Sequence, residues 1–109
     1  MDKTKTSIEK DLEDFLNDCF IEFGQAELRY TLKDLTEELS KAGIKYPTNK
    51  IKELLAEVYG ITPGGSLRYT FYTRDAKGEP QTEQRKGRYC TFYRENWILE
   101  QEYLDVVEN

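Results

Sequence analysis

The sequence contains no histidine. This removes the side chain most used for proton transfer near neutral pH, and with it Ser-His-Asp and Cys-His arrangements and imidazole metal sites. Cysteine is nearly absent. Cys19 and Cys90 lie 71 positions apart with no partner at metal-ligand spacing, which excludes a Cys-rich zinc site and a disulfide framework. Both fall on faces that read as apolar, so two buried, reduced thiols in an intracellular protein are expected. Neither G-x-x-x-x-G-K-[ST] nor G-x-G-x-x-G is present, and GITPGG leads into a strand rather than a phosphate-holding helix. No apolar run approaches the ~20 residues of a membrane span, and the start MDKTKTSIEKD has charge without an apolar core, so no signal peptide is expected. Carboxylates do cluster, as in Asp11/Asp14/Asp18 and Glu37/Glu38, but on faces that read as solvated. The expectation is a cytoplasmic, non-enzymatic protein with no cofactor and no small-molecule substrate.

What is present fits one domain of 109 residues, long enough for a modest core without staples. The net charge of −5 argues against nucleic acid until its distribution is read. Residues 1–27 carry −5, residues 28–60 carry +1, residues 61–94 carry +4 and residues 95–109 carry −5. A basic middle between acidic ends is compatible with a basic binding face on an acidic body, and equally with ordinary solvated surfaces.

Thr6 and Glu9 have the spacing of a capping box, and Ile8, Leu12, Phe15, Leu16, Cys19 and Phe23 recur at helical intervals up to Gly24. This predicts a first helix over residues 6–24. Residues 25–30 are too short and mixed for another helix, although LRY suits a brief extended segment. Thr31, with Asp34 three residues on, opens a second helix over 31–43, with Leu32, Leu35, Leu39 and Ala42 inward and Gly43 as a left-handed end. Thr48 is the expected N-cap of a third helix over 48–60, with Ile51, Leu54, Leu55 and Val58 inward. From Ser66 to Arg94 two aromatic arms, Leu67–Arg74 and Arg88–Arg94, alternate with period two around a polar insert, Asp75–Gly87. Its glycines and proline predict a turn that continues neither arm. The apolar face of this hairpin, Leu67, Tyr69, Phe71, Cys90 and Phe92, is expected to close the core. In the acidic C-terminal segment, 95–109, Asn96 is a candidate cap, Trp97 and Ile98 candidate anchors, and Trp97, Gln101, Leu104 and Glu108 share a helical stripe. Exposure of that strip would instead make it a dimer or partner surface.

The fold class expected is thus α+β: a winged helix-turn-helix of three helices followed by a long two-stranded hairpin wing. An unrelated three-helix domain that uses the hairpin as a lid has the same element order. In the winged-helix reading, Thr48, Asn49, Lys50 and Lys52 stand in the first turn of the helix that enters the major groove of double-stranded DNA. Arg85, Lys86 and Arg88, around Gly87, form a basic cluster on the wing suited to phosphates, which Arg68 and Arg74 extend. Against it, Glu53 and Glu57 follow on the same helix. Tyr69, Tyr72, Tyr89 and Tyr93 are candidate stacking platforms, with core packing as the plainer use.

The runs FLNDCF, LRYTLKDLTEEL, KIKELLAEVYGI and KGRYCTFY resemble the C-terminal winged-helix domain of phage and plasmid primase-helicases of the poxvirus type. The resemblance spans roughly residues 12–94 and implies the winged-helix fold and a replication-associated DNA role; with the element order and the charge distribution, the expectation is a DNA-binding protein of a phage or mobile element acting in replication or transcriptional control. The resemblance implies no helicase or primase activity, since this chain has no motif for either. The alternative is a winged helix that docks on a protein, a replication or regulatory factor or a second copy of itself.

Overall fold

The computed structural model describes residues 6–97, and the stripe expected through Gln101, Leu104 and Glu108, like Ile98, lies outside them. Helix α1 (Ser7–Phe23) leads into strand β1 (Glu27–Thr31), then α2 (Leu32–Lys41), α3 (Thr48–Val58), β2 (Ser66–Arg74), β3 (Pro80–Tyr93) and a short α4 (Arg94–Trp97). The class is α+β. The strands form one antiparallel sheet in the order β1-β3-β2. No helix among the described residues is long and apolar enough to cross a membrane.

Helices α1 and α2 start where the local chemistry says. Thr6 and Glu9 bond reciprocally, as do Thr31 and Asp34, and each box satisfies two orphan backbone donors at about 1 kcal/mol. Gly24 ends α1 in the left-handed conformation. After α2, the N–H of Ile44 reaches the Leu39 carbonyl (2.9 Å) and that of Gly43 the Ser40 carbonyl (3.0 Å). That double closure needs the positive φ of 86° that Gly43 supplies. Helix α3 differs from expectation. Its N-cap is Pro47, which makes no side-chain cap bond, and Thr48 is the first helical residue. The Thr48 hydroxyl instead shares a 3.0 Å hydrogen bond with that of Thr36 on α2.

The two aromatic arms do not pair with each other, so the expected two-stranded wing is not what forms. Strand β2 pairs with the polar insert, from Ser66 opposite Arg88 to Arg74 opposite Pro80. The second arm pairs with β1, from Glu27 opposite Tyr93 to Thr31 opposite Tyr89. The cause is the turn. Asp75 Oδ1 accepts from the N–H groups of Lys77 (2.8 Å) and Glu79 (2.9 Å), and Gly78 takes a φ of 83°. A connection this tight fixes the register beside it, so the residues after it must run back along β2. The aromatic arm is left for β1, where Leu28 and Tyr30 meet Phe92 and Cys90.

These four residues close the core over Leu12, Leu16, Cys19 and Phe20 of α1, Leu35 and Leu39 of α2, and Ile51 and Leu55 of α3. Tyr69 and Phe71 of β2 and Trp97 of α4 complete it. Several inward assignments fail. Leu67 is 59% and Val58 52% exposed, Ala42 is exposed, and Asn96 lies inside α4 rather than capping it. Leu67 lies opposite Gly87 in the first, exposed residues of β2, and burial on that strand begins only at Tyr69. Conversely, Glu38 is buried, not solvated, accepting from Thr73 Oγ1 (2.8 Å) and pairing with Lys41 (3.0 Å).

Both cysteines are free and buried. Burial pushes the Cys19 thiol up to about 12 and the Cys90 thiol up to about 11. Almost no thiolate exists at pH 8, and neither sulfur is reachable. A thiol reagent added to the native protein at that pH is expected to label neither residue within an hour, and both in denaturant. Stoichiometric labelling of the native state would contradict the packing.

Candidate nucleic-acid interface

The two elements expected to face nucleic acid, the start of α3 and the basic part of β3, come together in part. Asn49, Lys50 and Lys52 are exposed on the first turns of α3. With no side-chain cap, the α3 N-terminus also leaves backbone donors and the positive end of its dipole open. Lys52 and Arg88 line one shallow depression with Leu32 and Pro63. Arg88 is steadied there by a bond from its Nε to the Gly64 carbonyl (3.1 Å), which leaves its Nη groups for a ligand. Thr48, tied to Thr36, is the one member of the α3 set whose side chain is already engaged.

The basic cluster on β3 splits. Neighbouring strand residues point to opposite faces, so Lys86 and Arg88 are exposed while Arg85 turns toward the helices. Its guanidinium pairs with Asp34 Oδ1 (2.6 Å) and Glu83 Oε1 (2.9 Å) and lies 3.8 Å from the Phe71 ring centre. With two carboxylates and an aromatic face as partners, Arg85 is a structural cation. The same holds for Arg74, paired with Glu22 and lying over the Phe23 ring. Arg68 does stand with Lys86, beside Gln84 and Arg85. A neighbouring cleft between α2 and the sheet adds Lys33 to Lys86, but Asp34 and Glu37 line it too.

The surviving basic strip therefore runs Lys50, Lys52, Arg88, Lys86 and Arg68, along α3 and the base of the β2–β3 ribbon. It does not lie at the ribbon's far turn. That end is docked: Thr73 bonds Glu38 of α2, and Arg74 bonds Glu22 near the end of α1. The ribbon is thus laid along the helices instead of projecting from them.

Asp34 organises the underside of this surface and was not legible as a site residue. It is 5% exposed and holds the Thr31 N–H, the Tyr69 hydroxyl and Arg85 together. Burial, then the bond to Asp34, pushes the Tyr69 phenol up to about 12, so it stays a donor at any working pH. Its signal in the sequence was position: Asp34 and Glu38 flank the Leu35/Leu39 stripe at a four-residue interval, beside the apolar face. Of the candidate stacking tyrosines, Tyr69 is buried, and Tyr72 is half-buried, its ring packed on Phe23 at 5.6 Å. Tyr89 is half-buried as well, its ring 5.1 Å from that of Tyr69, and Tyr93 alone of the four is exposed.

No family model, curated protein or solved structure matches this chain.

Proposed function

We propose that the chain is a winged-helix protein that binds double-stranded DNA without catalysing a reaction, in replication or transcriptional control of a phage or mobile element. The element order α1-β1-α2-α3-β2-β3 and the strand order β1-β3-β2 suit that architecture. The observation that carries the binding role is the meeting of Lys52 and Arg88, from α3 and β3, in one depression. A duplex laid there meets α3 by its exposed first turns, with Asn49 and Lys50 toward the base edges. Lys52, Arg88 and Lys86 then take phosphates along the ribbon's base. The replication setting rests on the resemblance to the winged-helix domain of primase-helicases.

Four cations, Lys50, Lys52, Lys86 and Arg88, give a log–log salt slope of about −3 to −4 for duplex binding. Fluorescence anisotropy with a labelled duplex over a salt series measures it. Binding that ignores salt, or no binding at about 50 mM salt, would overturn the reading.

Docking on a protein is the second reading, favoured by the exposed Glu53, Glu57 and Val58 on the same helix. Recovery of a stoichiometric protein complex from a chain that binds no duplex would support it.

A further inference from the structure

Strand β2 begins at Ser66, opposite Arg88, so it does not accompany β3 any further. From Tyr89 to Tyr93, β3 has β1 on one side and the loop after α3 near the other. That loop bonds the strand through Gly64, whose N–H donates to the Tyr89 carbonyl (3.0 Å) and whose carbonyl accepts from Arg88 Nε (3.1 Å). Loop and strand together line a cleft of about 420 Å³, within the range that holds small organic ligands.

Its walls are aromatic: Tyr59, Tyr89, Tyr93 and Trp97. Tyr59 and Trp97 pack on each other at 4.6 Å, forming one firm wall, while Tyr93 is 48% exposed. Thr91 and Asn96 supply polar groups, and among the described residues no charged side chain lines the space. A charged ligand would find no counter-charge inside, whereas a flat neutral ring finds stacking faces and hydrogen-bonding partners for its edge. The charge lies next door. The loop that bounds the cleft with Gly64 also contributes Pro63 to the depression of Lys52 and Arg88, and Arg88 itself holds the Gly64 carbonyl. A neutral planar pocket beside a phosphate-binding pair is the layout that one nucleotide requires.

We infer that this cleft takes a single unpaired nucleobase, stacked on the exposed Tyr93 beside the wall that Tyr59 and the buried Trp97 form, while its phosphate is held by Arg88. Building on the duplex-binding reading, this makes the preferred ligand a duplex with a single-stranded overhang, not a blunt one. Trp97 is the only tryptophan in the chain, so its emission reports on the cleft directly.

Three labelled DNAs test this: a blunt duplex, the same duplex with a three-nucleotide overhang, and that overhang with its bases removed. The overhang is expected to tighten binding about tenfold, the effect of one stacked base, and to quench Trp97, whereas the abasic overhang does neither. Tyr93→Ala removes the gain and leaves blunt-duplex affinity within about twofold, Tyr93 lying outside the basic strip. Equal affinity for blunt and overhang DNA with unchanged Trp97 emission overturns the inference and leaves duplex binding standing. An abasic overhang that binds as well as the intact one also overturns it, since phosphate alone would then account for the gain. Binding of none of the three overturns the duplex reading and this inference together.

Discussion

Replacing Asp34 with alanine is expected to cost about 3 kcal/mol of stability, measured as the loss in urea unfolding free energy at constant slope. One carboxylate serves three donors: the Thr31 N–H (3.1 Å), the Tyr69 hydroxyl and Arg85 Nη1 (2.6 Å). Truncation opens the α2 capping box, at about 1 kcal/mol. It also leaves the buried Tyr69 hydroxyl without an acceptor, at about 1–3 kcal/mol. The Arg85 contribution is smaller because that side chain is 34% exposed and water screens it. For a domain of this size the melting temperature falls by roughly 15 °C. Tyr69→Phe made in the Asp34→Ala background should recover part of the loss, because it removes the stranded hydroxyl. A loss below about 1 kcal/mol would show that the network adds little to the packing around it.

The second large effect is on binding. Reversing both Lys52 and Arg88 to Glu is expected to weaken duplex affinity by more than about tenfold at low salt and to flatten the salt slope by about two. Both side chains are exposed, so the fold should survive and the melting temperature should move little. Lys77→Glu is the control. It makes the same charge change at the far turn of the β2–β3 ribbon, roughly 30 Å of strand away from Arg88, and should leave affinity within about twofold. If Lys77→Glu weakens binding as much as a reversal at Lys52 or Arg88, net charge rather than this depression governs binding. Arg85→Glu is no substitute in such a series. It breaks the pair with Asp34 and the contact with Phe71, so any lost affinity would be confounded with lost stability.

The contrast between Arg85 and Arg88 shows where sequence reasoning holds and where it stops. In the run Arg85-Lys86-Gly87-Arg88 the charges look like one cluster. Once the run is a strand, its two-residue period sets Arg85 on one face and Lys86 and Arg88 on the other. The period separates the two sets but does not say which one faces the helices: carried back from the inward pair Cys90/Phe92 it would put Lys86 and Arg88 inside, and only the structure, where Asp34 and Phe71 receive Arg85, decides it. Glu38 misled in the same manner. Its charge suggested solvent, while its place beside Leu39 put it against Thr73.

Much of what is decided within a few residues along the chain was legible beforehand, though not the α3 cap, which falls on Pro47 and not Thr48. The capping boxes at Thr6/Glu9 and Thr31/Asp34, the apolar stripe of α1, the glycine ends at Gly24 and Gly43, and the inward pair Cys90/Phe92 depend on local bonds and on periodicity, which the sequence carries directly. Strand partnership was not legible. Pairing depends on which backbone edge is free and which register a turn imposes, and every strand offers the same backbone groups to every other. The Asp75–Glu79 turn therefore claimed β2 for the polar insert, and the aromatic arm went to a five-residue strand, β1, that composition barely marks. The meeting of Lys52 with Arg88, and the cleft left where β2 stops short of Tyr89, are consequences of that choice. Only the assembled chain could make it, because it compares contacts between residues that the sequence holds far apart.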